Sequence, residues 1–132
     1  MKKNLAVAVG IVYNARHQVL LAWRSANKDV GSCWEFPGGK LEPGESSYQA
    51  LCRELNEEIN IRVISARPLP AIVHKYVDYQ VTLYPWVVLS FSGIPFGKEG
   101  QEIKWSRLEE LPHLQLPAAN YAMLNQIKAL KI

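Results

Sequence analysis

The stretch "GGKLEPGESSYQALCRELNEEINI", residues 38–61, joins a turn rich in Gly and Pro to the pattern of an amphipathic helix. Leu51, Leu55 and Ile59 recur at helical spacing and define the face that should enter the core. The pattern predicts a helix over residues 46–59, with Tyr48 also facing the core.

Three carboxylates, those of Glu54, Glu57 and Glu58, lie along one side of this helix and flank its apolar face. Like charges at i, i+3 and i+4 repel by roughly 0.2–0.5 kcal/mol per pair. One interpretation is a solvated acidic face, with Arg53 pairing Glu57 one turn away. The other is a cation site.

The turn before the helix favours the cation site. Gly38, Gly39 and Gly44 allow close backbone approach, and Pro37 and Pro43 stiffen the turn. Carbonyl and carboxylate oxygens without Cys or His suit Mg²⁺ or Mn²⁺, and Mg²⁺ is commonly shared with substrate phosphates. The cluster therefore predicts phosphoryl chemistry, in which water attacks phosphorus and a carboxylate accepts its proton.

Composition limits the other possibilities. The 132 residues suit one domain, 1–132, and the net charge of +3 comes from scattered basic residues rather than a nucleic-acid-binding stripe. No apolar run is long enough for a membrane span, and the apolar start is read as a first strand rather than a signal peptide. Cys33 and Cys52 form no metal or disulfide pattern, so we expect free thiols and a cytoplasmic, monomeric protein.

The remaining periodicity predicts an α/β fold, a sandwich of helices around a mixed β-sheet. Strands are predicted at 4–13 and 19–24, forming a hairpin, and at 33–36, 79–91 and 102–105, with 62–77 extended in parts and a polar loop at 25–32. Pro85 predicts an edge or a bulge within 79–91. Ser106 and Glu109 predict a capped helix at 106–111, and Pro117 begins a helix over 117–130.

The acidic stretch resembles the Nudix box, G-x5-E-x7-R-E-U-x-E-E-x-G-U, where U is aliphatic. The matching positions are Gly39, Glu45, Arg53, Glu54, Leu55, Glu57, Glu58 and Ile61. Asn60 stands where the family usually has Gly, and Asn is the next most tolerant residue in the left-handed conformation that ends a helix. Similar segments over nearly the whole chain ("WEFPGGKLEPGE", "GKEGQEIKW", "LPAAN") resemble the MutT branch, which implies the Nudix α/β/α sandwich.

The resemblance implies a role for each matched acidic position. Glu57 and Glu58 are expected to bind Mg²⁺ (Mn²⁺ as an alternative), with the Gly38 carbonyl as a further ligand. Glu54 is expected to act as general base or as a ligand. Arg53 is expected to orient Glu54 by a charge-assisted bond, and Glu45 is expected to support the cluster. Glu99 matches a loop carboxylate that joins the metal site when substrate binds, and Glu102 is its rival.

The resemblance also implies a nucleotide-binding side. Arg24 is expected near the substrate phosphates, with a plain surface Arg as the alternative. Asn120 would read the purine edge together with the Phe36 backbone, and its alternative is helix capping or a polar position in the first turn of a helix. The less similar segment "HKYVDYQVTLY" (74–84) could alter base or sugar selection, and three residues could line the pocket: Leu5, Ala6 and Ala8.

The function implied is a Mg²⁺-dependent nucleoside triphosphate pyrophosphohydrolase that acts on 8-oxo-dGTP or its ribose analogue. A hydrolase of CTP or of an oxidised pyrimidine nucleotide is the first alternative. A non-catalytic nucleotide-recognition module is the second, although such modules tend to lose box carboxylates and this chain retains them. No stable nucleic-acid complex is expected.

Overall fold

The computed structural model describes residues 3–25 and 31–130, so most of the polar loop predicted at 25–32 lies outside the described residues. The elements follow in chain order: β1 (Lys3–Val12), β2 (Val19–Arg24), β3 (Cys33–Glu35), β4 (Gly38–Lys40), α1 (Ser47–Ile59), β5 (Arg62–Pro68), β6 (Ile72–Lys75), β7 (Tyr79–Ser92), β8 (Ile103–Ser106), a 3₁₀ helix (Leu108–His113), α2 (Ala118–Tyr121) and α3 (Leu124–Ala129). No helix within these residues is long and apolar enough to span a membrane.

Two sheets organise the fold. The larger has the order β4-β1-β7-β5, and β6 also pairs with β7. Its β1–β7 pairing is parallel and its other pairings are antiparallel, which confirms the predicted mixed sheet. The smaller sheet, of order β3-β2-β8, is antiparallel throughout.

Strand β1 is apolar on both faces because it separates two parts of the core. Its Ala8 and Val12 pack with Leu51 and Leu55 of α1. On the opposite face, its Val9 and Ile11 belong to a cluster that extends to the C-terminal helical segment. Helical layers therefore cover both faces of the large sheet, as the α/β/α interpretation predicted.

The predicted hairpin over 4–24 is wrong. β1 and β2 belong to different sheets and are joined by one isolated bridge, between Tyr13 and Val19. Both edges of β1 are already taken, one by β7 and the other by Gly38–Lys40, which forms strand β4 where the sequence predicted only a turn. The pattern of apolar and polar residues within each strand could not reveal this pairing between distant segments.

Pro85 lies in a central strand rather than at an edge, so this prediction was also wrong. One side of β7 pairs with β1 along its length, and the other pairs first with β6 and then with β5. The carbonyl of Pro85 accepts a hydrogen bond from Leu69 N–H (2.9 Å), at the interruption between β5 and β6. The missing N–H of Pro85 faces the same interruption, so no ladder bond is lost there.

The C-terminal region differs from the prediction in two places. Ser106 is buried at the end of β8 and donates to the Arg107 carbonyl, so the capping interaction moves one residue along, to Arg107 and Glu110. The helix predicted over 117–130 is divided into α2 and α3. A tight bond from Met123 N–H to the Asn120 carbonyl (3.0 Å) lies at the break.

Helix α1 begins and ends with strong local signals. Ser46 and Gln49 form a reciprocal capping box at its start. At its end, Asn60 takes the left-handed conformation, with φ 63° and ψ 31°, as predicted. The Asn60 side-chain amide also donates to the Ile94 carbonyl (3.3 Å).

We expect Asn60→Ala to lower the free energy of unfolding by about 1–2 kcal/mol, because a Cβ without a polar group makes the left-handed conformation costly. Asn60→Gly should be close to neutral, since relief of this cost offsets the lost bond to Ile94. Urea unfolding of both variants measures the difference. Equal destabilisation by Ala and Gly would contradict the conformational explanation.

Candidate active site

Arg53 is the centre of the site. Its guanidinium donates two bonds to the Glu45 carboxylate, at 2.8 and 2.9 Å, and one to Glu54 Oε1 at 2.7 Å. A further bond reaches the Lys40 carbonyl at 3.0 Å. This single side chain therefore joins β4, the turn that carries Glu45, and the acidic face of α1, as the predicted orienting role required.

The charges in this network reinforce one another. Hydrogen bonds from Arg53 and from the Glu42 backbone lower the pKa of Glu45 to about 2. Bonds to Glu45 and Glu54 raise the pKa of Arg53 above its already high ordinary value. Glu45 thus stays ionised and Arg53 stays charged across the physiological range.

Two glycines make room for this arrangement. A Cβ on Gly39 would lie 2.4 Å from the Glu54 carboxylate carbon, so the carboxylate passes directly over the glycine backbone. A Cβ on Gly38, where φ is +156°, would lie 2.0 Å from the Ala8 carbonyl oxygen across the β1–β4 pairing. The glycines of β4 are therefore dictated by close approach.

Glu58 is partly buried and lies among other negative charges. Gly38 N–H donates to Glu58 Oε2 at 3.1 Å. Burial is the main cause that raises the pKa of Glu58 to about 8, and the negative charges of Glu54, Glu35 and Glu99 add to it. Glu99 is thus close enough to act on Glu58, whereas Glu102, its predicted rival, is not among these charges.

Glu57 and Tyr48 are more exposed than a metal ligand and a core residue would be. The Glu57 side chain is 61% exposed and its Oε2 lies 3.5 Å from Arg53 Nη1, so its present position matches the solvated ion pair. Ala50, on the same helix, is fully buried. Tyr48 was expected in the core, but it is 38% exposed. α1 is therefore rotated slightly from the predicted face.

The donor set fits a divalent cation, although the side chains do not yet converge. Among the described residues, no three His, Cys or acidic side chains are gathered closely enough to hold an ion. Glu54 is bonded to Arg53 and Glu58 to Gly38 N–H. The carboxyl oxygens are nevertheless the hard donors that Mg²⁺ prefers.

A cavity of about 680 Å³ extends from the glycines of β4, which contact the acidic cluster, to the start of α2. Its lining includes Gly38, Gly39 and Arg24 as well as Phe36 and Asn120, but none of the carboxylates of α1. Of the three residues proposed from sequence for the pocket wall, Leu5 and Ala8 line it and Ala6 does not.

Asn120 is held in place in the cavity wall beside α2. Its Oδ1 accepts a hydrogen bond from Phe36 N–H at 3.1 Å, and the residue is only 8% exposed. Since the Phe36 N–H can only donate, it fixes which end of the Asn120 amide faces it. Asn120 does not cap the helix, because Pro117 is the N-cap of α2 and no side chain caps it, but it does lie in the first turn of α2.

The segment after β6 contributes an aromatic wall. Tyr76, Asp78 and Tyr79 line the cavity, and Tyr76 stacks on Tyr79 with ring centroids 4.8 Å apart. The Tyr76 hydroxyl accepts a bond from Ala119 N–H at 3.2 Å, next to Asn120. His74 packs edge-on against Tyr76 rather than lining the cavity.

Sequence reasoning missed Glu35. This residue lines the cavity and forms an ion pair with Arg24 at 3.2 Å. Burial raises the pKa of Glu35, while Arg24 opposes the shift. An acidic residue within the short apolar strand "CWEF" was the available signal, since such a side chain must find a partner when it is buried. Arg24 is therefore more than a plain surface residue.

We expect Gly39→Ala to leave the protein folded but to displace the Glu54 carboxylate, because the new methyl group has no room beside it. Mn²⁺ affinity, followed by electron paramagnetic resonance, should fall by roughly 10–100-fold, the range for disturbed metal-site support. Gly31→Ala is the matched control, since its methyl group would meet no atom within 4 Å. Unchanged Mn²⁺ affinity in Gly39→Ala would contradict this packing argument.

We expect the metal-free protein to lose stability as pH rises from 4.5 to about 8, because folding raises the pKa of Glu58 from 4.5 to about 8. In this window the folded state holds a proton that the unfolded state has released, which gives a slope of at most about 1.4 kcal/mol per pH unit. Urea unfolding with a chelator present measures it. Glu58→Gln should flatten the dependence of unfolding free energy on pH, whereas the control Glu109→Gln, at an exposed position, should keep it. The same slope in the wild type and both variants would show that Glu58 is not its cause.

A family model described as the NUDIX domain matches residues 2–127. An 8-oxo-dGTP diphosphatase of Escherichia coli is 36% identical over 97% of this chain and 99% of its own length. A CTP pyrophosphohydrolase of Escherichia coli is 35% identical over 86% of this chain and 84% of its own length.

A solved structure from a study of MutT of Aliivibrio salmonicida and Vibrio cholerae superposes with a TM-score of 0.81 and 33% identity. It covers 96% of this chain and 98% of that one. The likeness thus extends over sequence, fold and nearly full length. Together with the Arg53-centred carboxylate cluster, these matches show that the chain belongs to the Nudix family.

Proposed function

We propose that this protein is a Mg²⁺-dependent nucleoside triphosphate pyrophosphohydrolase that acts on 8-oxo-dGTP or 8-oxo-GTP. The products are the nucleoside monophosphate and pyrophosphate. The observation that carries the proposal is one cavity lined both by Gly38 and Gly39, the glycines that contact the carboxylates of α1, and by the buried Asn120. Its volume of about 680 Å³ suits a nucleotide.

The relatives support this substrate class. The 8-oxo-dGTP diphosphatase of Escherichia coli matches over nearly the full length of both chains. A second 8-oxo-dGTP diphosphatase, from Haemophilus influenzae, is likewise 36% identical over 96% of this chain and 93% of its own length. The matched regions include the residues of the box and of the cavity. We therefore propose the same substrate for this protein.

The carboxylate end would carry out the hydrolysis. Nudix hydrolases generally depend on a divalent metal, and we propose Mg²⁺, replaceable by Mn²⁺. A divalent cation bound there neutralises the phosphate charge and makes water more acidic. Glu57, Glu58 and the Gly38 carbonyl are the proposed metal ligands, and Glu99 reaches the same site from its loop.

Glu54 is proposed to accept the proton of the attacking water or to serve as a further ligand. Arg53 holds its carboxylate over Gly39 through the 2.7 Å bond, and Glu45 holds Arg53 in turn. This chain of charge-assisted bonds fixes the orientation of Glu54 before the reaction begins. Arg24, at the same end of the cavity, is proposed to bind phosphate oxygens, with Glu35 setting its position.

The opposite end would read the oxidised base. Asn120 Oδ1 has one lone pair engaged with Phe36 N–H and a second that can accept a hydrogen bond. In 8-oxoguanine N7 carries a proton, whereas in guanine N7 is an acceptor. Asn120 can therefore accept from the oxidised N7–H while its Nδ2 donates to O6. Guanine N7 would oppose Oδ1 lone pair to lone pair.

A CTP pyrophosphohydrolase is the second candidate, because that relative is nearly as similar as the 8-oxo-dGTP diphosphatases. A recognition module without catalysis is disfavoured by the complete set of box carboxylates. We further propose a monomeric, cytoplasmic enzyme that forms no stable complex with nucleic acid. The scattered basic residues and the net charge of +3 support the last point.

A nucleotide panel tests the function. The enzyme should release pyrophosphate from 8-oxo-dGTP at least tenfold faster, in kcat/KM, than from dGTP or CTP, since an unpaired buried polar group costs about 1–3 kcal/mol. Turnover should stop when the metal is chelated. Equal kcat/KM for dGTP and 8-oxo-dGTP would remove the proposed substrate, and a preference for CTP would establish the second candidate.

A matched pair of variants tests the chemistry. Glu54→Gln should lower kcat by about 10²–10⁴-fold, the contribution of a positioned proton acceptor. Glu109→Gln makes the same chemical change at an exposed position of the 3₁₀ helix and should keep full activity. Near wild-type turnover in Glu54→Gln would show that the role assigned to Glu54 is wrong.

A further inference from the structure

The loop 93–102, between β7 and β8, is bonded to the C-terminal end of α1. The last carbonyls of a helix have no partner within the helix and must find donors elsewhere. Here Phe96 N–H donates to the Ile59 carbonyl at 3.2 Å, and Lys98 N–H donates to the Glu58 carbonyl at 2.9 Å. The loop therefore completes the hydrogen bonding of the helix end that carries Glu58.

Gln101 closes this loop through both ends of its side-chain amide. Its Nε2 donates to the Glu58 carbonyl at 3.1 Å, and its Oε1 accepts a bond from Glu99 N–H at 2.9 Å. One side chain thus bridges the backbones of two acidic residues that lie 41 positions apart in the chain, Glu58 and Glu99. Gly97 allows this tight closure, because a Cβ there would lie 1.9 Å from the Gln101 carbonyl oxygen.

We propose that Gln101 is a positioning residue that fixes the loop to α1 and thereby holds Glu99 beside Glu58 before any nucleotide binds. The loop then needs no large closure on substrate. Glu99 is exposed, so its side chain can turn toward a cation or phosphate while its backbone stays in place. This inference rests on the proposed function for its effect on metal binding, although the docking of the loop stands without it.

The test replaces the amide by an apolar side chain of the same length. Gln101→Met removes both bonds and keeps most of the volume. Gln126→Met is the matched control, because Gln126 also donates its amide to a backbone carbonyl, that of Pro70 at 2.8 Å, at a place remote from Glu58. Mn²⁺ affinity and amide hydrogen exchange are measured for both variants and for the wild type.

Gln101→Met should bind Mn²⁺ roughly 10-fold more weakly, as expected when the support of a metal site is lost. Exchange at the Lys98 and Glu99 amides should become faster. Gln126→Met should match the wild type in both measurements, even if it lowers the melting temperature by a similar amount. A Gln101→Met protein with wild-type Mn²⁺ affinity, or with unchanged exchange at these amides, would overturn the proposal.

The wild-type protein provides a second test in case the variant does not fold. In the absence of nucleotide, its Lys98 and Glu99 amides should already exchange more slowly than amides of an unstructured peptide. Adding nucleotide should change these exchange rates little. Amides that become protected only after nucleotide binds would contradict a docked loop. If the wild type binds no Mn²⁺ and cleaves no nucleotide, the proposed function fails, while this exchange measurement still decides the position of the loop.

Discussion

The structure depends on the balance between one guanidinium and the carboxylates around it. Arg53 bonds to Glu45 and Glu54 and lies within 3.5 Å of Glu57, so it offsets the repulsion on the acidic side of α1. It does not reach Glu58, and the pKa of that buried carboxyl is raised to about 8. Arg53 thus supplies positive charge to Glu45 and Glu54 but not to Glu58. A divalent cation is the natural complement at Glu58.

Much of this site could be predicted because its signals are local. The helical period placed Leu51, Leu55 and Ile59 in the core, and the box spacing placed Arg53 next to Glu54. Asn60 ends α1 in the left-handed conformation for the steric reason given from sequence. Family resemblance brought Phe36 and Asn120 together, and the structure joins them by a hydrogen bond across 84 positions of the chain.

The errors share a cause, which is pairing between distant segments. Pro85 could not be placed until the interruption between β5 and β6 was known to lie opposite it. β1 and β2 are adjacent in sequence but belong to different sheets, since β4 and β7 occupy both edges of β1. Glu35 escaped notice because its importance comes from burial beside Arg24, and Gln101 because it bridges two backbones. No periodicity in the sequence encodes these contacts.

The most direct test of the central claim is a crystal structure with Mn²⁺ and a non-hydrolysable nucleoside triphosphate analogue, with anomalous scattering used to locate the metal. The account predicts Mn²⁺ between the phosphate chain and the carboxylates of Glu57 and Glu58, with the base at Asn120. Glu57 should have turned inward from the exposed position that it occupies beside Arg53. A nucleotide bound without Mn²⁺ near these carboxylates, with Glu57 still pointing into solvent, would contradict the account.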